Sequence, residues 1–162
     1  MIISLIIAGL IVAFDQLSKY LIIHSSVYNG TDFVFIPKLL TFTYSENDGM
    51  AFGIGSESFR WIFIIVTLLV CGYMVYLMTK DDFKNKLYCI SSGLIIGGGI
   101  GNLIDRLLKG YVVDFLELSF FSPICNVADY AITVGTVLLM IFIIFFYGKK
   151  PSESAKEDKQ VA

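Results

Sequence analysis

Three long runs without a charged residue most constrain what this chain can fold into. They occupy roughly residues 61–79, 87–104 and 130–148. A helix of about 19 residues is about 29 Å long, which matches the hydrocarbon core of a bilayer. The chain is 56% hydrophobic and 16% charged, with a mean hydropathy of +0.76, outside the usual range of soluble proteins. These runs therefore predict transmembrane helices.

A fourth apolar run at the N-terminus is shorter, but it spans a membrane if the helix continues through Asp15 and Lys19 to about Ile23. We expect a retained helix and not a cleaved secretory signal, because there is no basic n-region and the residues before Asp15 make a poor cleavage site. The sequence predicts one polytopic membrane domain over 1–150 with helices near 2–23, 60–79, 87–108 and 128–147. The Pro-, Ser-, Glu- and Lys-rich tail 151–162 is expected to be disordered.

The lysines predict the orientation of the helices. The loop 80–86 carries three lysines, and the tail after Gly148 carries four more. Basic loops stay on the cytoplasmic side of a membrane. We therefore expect both termini, and the tail, in the cytoplasm, with the segments 24–59 and 109–127 on the extracytoplasmic side.

Ionisable side chains gather near the outer membrane surface in this topology. They are Asp15 and Lys19 in the first helix, Asp105 and Arg106 at the end of the third, Asp114 in the following loop, and Asp129 at the start of the fourth. Ionisable groups at membrane depth are costly and by default mark a functional site. Their convergence on one layer predicts an active site there.

Simpler explanations remain open for some of these residues. Asp15 and Lys19 are four residues apart, so they either join the site or form an interfacial pair whose lysine snorkels to the headgroups. Arg106 either contacts the site or anchors a lipid phosphate. A purely structural role explains Asp114 and Asp129 less well, because neither has a basic residue at helical spacing.

Glycines recur along the third helix. Gly93, Gly97 and Gly101 lie at four-residue intervals, a spacing that lets neighbouring helices approach closely. We assign these glycines to helix packing, and we connect only Gly98, between them, with the site.

The outer segment 31–55 has the character of a small sheet. Residues 40–45 alternate apolar and polar side chains, as in a half-buried strand, and 32–36 is a possible partner. Residues 46–49 are typical of a turn. We expect an antiparallel sheet resting on the membrane, with Asn47 either stabilising the turn through its own backbone or acting at the site.

Several kinds of chemistry are excluded. His24 is the single histidine, so neither a Ser-His-Asp triad nor a His-Glu-x-x-His zinc motif is present. Cys71 and Cys89 lie within spans and are expected to pack as small apolar groups, and Cys125 has no outer partner for a disulfide. The sequence has no basic patch that would indicate binding of nucleic acid. Two aspartates facing one cavity favour acid–base hydrolysis with one shared proton, which needs no cofactor or metal.

The chain resembles the lipoprotein signal peptidase (signal peptidase II) family of bacterial aspartyl membrane peptidases. Five motifs carry the resemblance, in order, over residues 5–147. They are Asp15-Gln16-Leu17-Ser18-Lys19, Asn47-Asp48-Gly49-Met50-Ala51-Phe52-Gly53, Gly101-Asn102-Leu103-Ile104-Asp105-Arg106, Val112-Val113-Asp114-Phe115 and Asn126-Val127-Ala128-Asp129. Met50, Cys125 and Tyr130 depart from the residues that are usual in the family and bear on the shape of the pocket.

The resemblance implies an all-α membrane protein with four transmembrane helices, a small extracytoplasmic antiparallel β-sheet and a mobile segment between helices three and four. It implies removal of the signal peptide from diacylglyceryl-modified prolipoproteins, before the lipidated cysteine of the lipobox, at the surface of the bacterial cytoplasmic membrane and its phospholipid. By position, the catalytic dyad falls on Asp114 and Asp129. The supporting residues fall on Asp15, Lys19, Asn47, Gly98, Asn102, Asp105, Arg106, Asn126 and Ala128.

Two other classes of protein put carboxylates in membrane helices. A proton-coupled transporter or channel needs a polar path across the bilayer, and the inner halves of these helices supply almost no charge. A non-catalytic scaffold explains the glycines but not the collection of outer carboxylates. The sequence therefore favours the peptidase.

Overall fold

A computed structural model describes residues 1–49, 56–80, 83 and 85–147, with only the backbone of 56–59. The expectations for Met50, Lys84 and the tail 151–162 lie outside this part of the chain. Four helices are long and apolar enough to cross a membrane, which confirms the predicted fold class. They are α1 (Ile2–Ile23), α2 (Ser56–Leu77), α3 (Lys86–Leu108) and α4 (Val127–Phe145).

The predicted antiparallel sheet is present and is larger than the sequence suggested. Its strands are β1 (Phe33–Ile36), β2 (Leu40–Asn47), β3 (Val112–Leu118) and β4 (Phe121–Cys125), hydrogen-bonded in the order β1-β2-β3-β4. The expected loop between the last two helices thus contains two strands, and the expected turn at 46–49 starts later because β2 continues through Asn47. β-branched and aromatic residues in β3 suit a strand, and pairing with β2 satisfies its backbone groups.

The connections place the sheet at one end of the helices. β1 and β2 lie between α1 and α2, and β3 and β4 lie between α3 and α4. The sheet therefore sits where α1 and α3 end and where α2 and α4 begin.

α3 is the central helix, and its glycines allow close packing as predicted. A Cβ atom added at Gly93 or Gly97 would lie 2.8 Å from a backbone oxygen of α1. A Cβ atom added at Gly98 would overlap the carbonyl oxygen of Ala128 in α4. α1 and α4 therefore pack directly on the backbone of α3, which brings their polar residues together.

An aromatic cluster holds the helices at the end away from the sheet. The rings of Phe83, Tyr88 and Phe142 contact one another, with the centroids of Tyr88 and Phe142 5.4 Å apart. The hydroxyl of Tyr88 donates to the carbonyl oxygen of Met74 at 3.1 Å, which joins α3 to α2. This end of the helix bundle is apolar, and the ionisable residues singled out by the sequence lie at the opposite end, next to the sheet.

Candidate active site

The two aspartates singled out by the sequence meet at the junction of β3 and α4. Asp114 lies within β3, not in a loop as the sequence predicted, and only 2% of it is exposed. Asp129 is the third residue of α4. Asn126, the N-cap of α4, contacts both: its Nδ2 donates to Asp114 Oδ1 at 2.6 Å, and its backbone N donates to Asp129 Oδ2 at 3.1 Å.

Two more asparagines complete the contacts of the carboxyl pair. Asn47 Nδ2 donates to Asp114 Oδ2 at 2.8 Å, and Asn102 Nδ2 donates to Asp129 Oδ1 at 2.8 Å. Each of the four carboxyl oxygens therefore accepts an N–H, from β2, α3 or the cap of α4. Such donors favour the ionised form of a carboxyl, whereas burial disfavours it.

Asn47 makes a contact that corresponds to each of the two possibilities that the sequence left open. Its Oδ1 accepts the backbone N–H of Gly49 at 3.0 Å, where the chain turns with a φ of +76°. Its Nδ2 contacts Asp114 at the same time. The end of β2 thereby holds its amide donor in place.

Burial raises the pKa of Asp114 to about 6. The hydrogen bond from Asn47 opposes this rise, the negative charge of Asp129 adds to it, and the hydrogen bond from Asn126 again opposes it. An unperturbed aspartate has a pKa of about 3.9. Asp114 therefore keeps its proton to a much higher pH than an exposed aspartate does.

Lys19 is buried among acidic and amide side chains beside this pair. Its Nζ lies 2.8 Å from Asp15 Oδ2, 3.0 Å from Asp105 Oδ2 and 3.0 Å from Asn102 Oδ1. With 0% of Lys19 exposed, the interpretation of a lysine that snorkels to headgroups is wrong. The ammonium also orients Asn102, because turning the Oδ1 atom toward Lys19 leaves Nδ2 to face Asp129.

Arg106 lies beside the carboxyl pair on the α2 side. Its guanidinium carbon is 4.7 Å from the ring centroid of Phe63. The negative charges of Asp129 and Asp114 are close enough to interact with this guanidinium. The structure therefore places Arg106 at the site, where a planar guanidinium stacks on an aromatic face.

The remaining predicted residues pack around this core. Ala128 is fully buried, and its backbone N donates to Asp15 Oδ1 at 2.9 Å. Gly98 faces the carbonyl of Ala128, so a larger residue there would push against the start of α4. Asp105 is fully buried, and its carboxyl accepts from the backbone N of Val113 at 3.1 Å.

Three residues of this region escaped the sequence analysis. Lys109 Nζ lies 2.9 Å from Asp105 Oδ1, and the four-residue spacing was the signal that could have revealed it. Gln16 Nε2 donates to Asp15 and to the carbonyl oxygen of Gly101. Phe63 carried no signal, because it is one aromatic residue within an apolar helix.

Of two cavities of opposite character, only the first is lined by one of the aspartates. A polar cleft of about 350 Å³ opens over Asp114 and is lined by Ser45, Glu46, Asn47, Asp48, Asp114, Ser122, Pro123 and Ile124. An apolar groove of about 530 Å³ runs between α2 and α4 over α3, and we call it the inner groove. It is lined by Val70, Tyr73, Met74, Leu77, Phe83, Tyr88, Ile95, Ile132, Thr136, Leu139, Ile143 and Tyr147.

Cys125 lies next to the cap of α4 but is poorly suited to nucleophilic chemistry. Burial raises the pKa of its thiol, and the charges of Asp129 and Asp114 raise it further. A thiolate is therefore disfavoured at this position. The two carboxyls are therefore better suited than this thiol to acid–base chemistry at the site.

The chain is similar in sequence and in structure to known proteins. The profile of the family described as "Signal peptidase (SPase) II" matches residues 7–145. Proteins named "Lipoprotein signal peptidase" from Streptococcus pyogenes serotype M1 and serotype M5 (strain Manfredo) are each 44% identical over 133 residues. That alignment covers 82% of this chain and 86% of theirs.

Two solved structures described as a "Bacterial membrane enzyme" share the fold. One, at 2.3 Å, is 35% identical with a TM-score of 0.78, covering 92% of this chain and 94% of that one. The other, at 1.9 Å, is 37% identical with a TM-score of 0.79, covering 88% and 92%.

Proposed function

Because the chain belongs to the signal peptidase II family, and is therefore a membrane peptidase that processes lipoprotein precursors, we propose that Asp114 and Asp129 are its catalytic dyad. The single observation that carries this proposal is the position of Asn126, which hydrogen-bonds to both carboxyl groups. Two carboxyl groups held this way share one proton, since both do not readily ionise side by side.

In the proposed mechanism, Asp129 is the general base and Asp114 the general acid. We assign the base to Asp129, which lies in the first turn of α4 and whose two carboxyl oxygens each accept an N–H. It takes a proton from water, whose oxygen attacks the carbonyl carbon of the peptide bond before the lipidated cysteine. Asp114 gives its proton to the carbonyl oxygen, which yields a neutral tetrahedral diol.

Collapse of the diol returns both aspartates to their starting states. The carbon–nitrogen bond breaks, and the cysteine nitrogen receives the proton that Asp129 took from water. A diol hydroxyl returns its proton to Asp114 as the new carboxyl group forms. The supporting amides Asn47, Asn102 and Asn126 hold the two carboxyls in position throughout.

The two cavities suggest how the precursor lies in the site. Ile132, at the near end of the inner groove, is one turn beyond Asp129, and Tyr147 lies at the far end. The part of α4 from Ile132 to its end at Phe145 is about 20 Å long, which matches a helical signal-peptide core of about 14 residues. We place the apolar core of the signal peptide in the inner groove and the chain after the cysteine in the polar cleft.

The lysine distribution supports a location in the bacterial cytoplasmic membrane, with both termini in the cytoplasm and the dyad toward the outside. We treat 1–150 as a single peptidase domain and 151–162 as a cytoplasmic tail. We place the substrate, a diacylglyceryl-modified prolipoprotein with a lipobox, at this outer surface, next to the membrane phospholipid. Family membership sets aside the transporter and scaffold alternatives.

Purified protein incubated with a preprolipoprotein tests the function directly. We expect release of the signal peptide from the diacylglyceryl-modified precursor and not from the unmodified one, with mass spectrometry placing the cut before the modified cysteine. Chelators should leave the rate unchanged. Cleavage elsewhere in the precursor would contradict the proposal, and activity lost on chelation and restored by a divalent metal would make the carboxylates metal ligands.

The raised pKa of Asp114 predicts the pH dependence. The general acid must be protonated, so kcat/KM should fall as pH rises above about 6. Asn47→Ala removes a donor that stabilises the ionised form, which raises the pKa of Asp114 further. The alkaline limb should then move to higher pH by about one unit, as expected for a hydrogen bond to a charged group. The pH profile of kcat/KM measures this shift.

The substitution Asn47→Asp separates the two contacts of this side chain. It keeps an oxygen for the N–H of Gly49 but removes the donor to Asp114 and adds a negative charge. The alkaline limb should move at least as far as in Asn47→Ala. A limb that stays in place in both variants would mean that Asn47 acts only through the turn.

Arg106→Lys should lower kcat/KM at least about tenfold, because lysine cannot make the planar, bidentate contacts of a guanidinium. Steady-state cleavage of the lipid-modified precursor measures the effect. Arg60→Lys is the matched control, since Arg60 also stacks on an aromatic ring, that of Trp61, at 5.5 Å. Wild-type behaviour of the Arg106 variant would show that any positive charge suffices.

A further inference from the structure

Two buried carboxylates outside the dyad each hold the backbone immediately before a dyad aspartate. Asp105 Oδ2 accepts from the backbone N of Val113, at 3.1 Å, and Asp114 is the next residue. Asp15 Oδ1 accepts from the backbone N of Ala128, at 2.9 Å, and Asp129 is the next residue. The same kind of contact therefore occurs once on β3 and once on α4.

One ammonium joins these two carboxylates. Lys19 Nζ lies 2.8 Å from Asp15 and 3.0 Å from Asp105, and all three side chains are 0–1% exposed. Ion pairs in a buried setting are held closely, because separating them leaves unpaired charges out of water. We call Lys19, Asp15 and Asp105 the Lys19 bridge.

We propose that the Lys19 bridge is a positioning device that sets the distance between the two dyad carboxyls, by tying the backbone before Asp114 to the backbone before Asp129 through a single ammonium. The proposal rests on the proposed dyad. β3 and α4 belong to different layers of the fold, and the bridge connects them through α1 and α3. Lys19 acts through Asp15 and Asp105 and needs no contact with substrate.

Glycine packing leaves the bridge little freedom to adjust. A Cβ atom added at Gly101 would lie 2.6 Å from Asp15 Oδ2, so the α3 backbone confines that carboxylate. Gln16 Nε2 also donates to Asp15 Oδ2 at 3.1 Å. The carboxylate that holds α4 is therefore fixed from several sides.

The distance between the two dyad carboxyls affects the shape of the pH profile of kcat/KM. Repulsion between them separates the two apparent pKa values of the pair, and it falls as their distance grows. In Lys19→Met we expect kcat to fall at least about a hundredfold, as for a displacement of about 1 Å, with KM within about threefold of wild type. The two limbs of the kcat/KM profile should move closer together.

The separation of the two limbs distinguishes a positioning effect from a folding defect, because the shape of the pH profile does not depend on the fraction of active protein. Lys109→Met is the matched control. Lys109 Nζ lies 2.9 Å from Asp105 but is 27% exposed, and it is not part of the bridge to Asp15. The control should keep the separation of the limbs. Loss of activity in Lys19→Met with an unchanged separation of the limbs would overturn the proposal.

A distance measurement that does not depend on activity tests the proposal in variants that have no detectable turnover. In a chain with Cys71, Cys89 and Cys125 replaced by alanine, nitroxides attached through Asp114→Cys and Asp129→Cys report the distance by continuous-wave EPR. The bridge contacts remain, because they involve the backbone N–H groups before these positions. We expect weaker dipolar broadening when Lys19→Met is added and no change with Lys109→Met.

A charge-balanced variant covers the case in which Lys19→Met does not fold. Lys19→Met with Asp105→Asn removes one positive and one negative charge, and the amide oxygen at position 105 still accepts from Val113. Its EPR spectrum should also lose dipolar broadening, and an unchanged spectrum would refute the bridge. Asp114→Asn and Asp129→Asn, assayed in the same preparation, test the dyad itself, so active dyad variants would contradict the proposed function separately.

Discussion

Asp114→Asn and Asp129→Asn are each expected to lower kcat at least about a thousandfold, the upper range for loss of a general acid or base. Each substitution removes one half of the proton exchange, since an amide neither takes a proton from water nor gives one to a carbonyl. The amide also has nearly the shape of the carboxyl. Cleavage of the lipid-modified precursor under single-turnover conditions measures the loss.

Asparagine at either position carries a modest structural cost. Each carboxyl oxygen now accepts an N–H, so the new NH₂ group would face one of those donors. An unsatisfied donor of this kind costs about 1–3 kcal/mol, so the variants should fold with a lowered thermal midpoint.

Glu117→Gln is the matched control for the dyad. Glu117 is an exposed acidic residue on the same strand as Asp114. Its substitution should leave turnover within about twofold of wild type, as for surface positions in general. A dyad variant that retained comparable turnover would show that the carboxyl at that position is dispensable.

Gly98→Ala is expected to be the most damaging change of a single methyl group. The added Cβ would overlap the carbonyl oxygen of Ala128, and a backbone atom has no rotamer by which to move away. α4 would have to shift, and with it Asp129. Overpacking of this kind costs about 1–3 kcal/mol, and a shift of about 1 Å at the dyad costs about a hundredfold in rate. Thermal unfolding in detergent and the cleavage rate measure both effects.

Gly99→Ala is the control at the adjacent position. Its Cβ would meet the side chains of Thr67 and Cys71 at 3.2 Å and 3.3 Å, and these are free to adjust. We expect a small loss of stability and near-normal turnover. If the two alanine variants behaved alike, the close approach of α3 and α4 at Gly98 would not be what positions Asp129.

The sequence alone was sufficient to predict the four transmembrane helices, because the thickness of the bilayer imposes about the same length on all of them. Runs of apolar residues predicted four spans, and the helices begin and end within a few residues of the expected positions. The sheet was only half predicted. Alternation revealed β2, but β3 has two adjacent valines before Asp114, and its buried first half shows no alternation.

The dyad was also within reach of the sequence, because carboxylates in an apolar chain stand out by their cost. What it left open was the position of the groups around them. Whether Lys19 points to headgroups or into the protein depends on what lies on α3, and only packing on the glycines brings Asp105 and Asn102 within 3.0 Å of its ammonium.

The sequence by itself determined which side chains are ionisable, which segments span a membrane and which residues match a known family. Tertiary structure alone decided which backbone groups those side chains contact. The donors to Asp105 and Asp15 are the peptide N–H groups of Val113 and Ala128. Every residue other than proline carries that group, so it leaves no mark in the sequence, and its partner is known only once the helices and the sheet have packed.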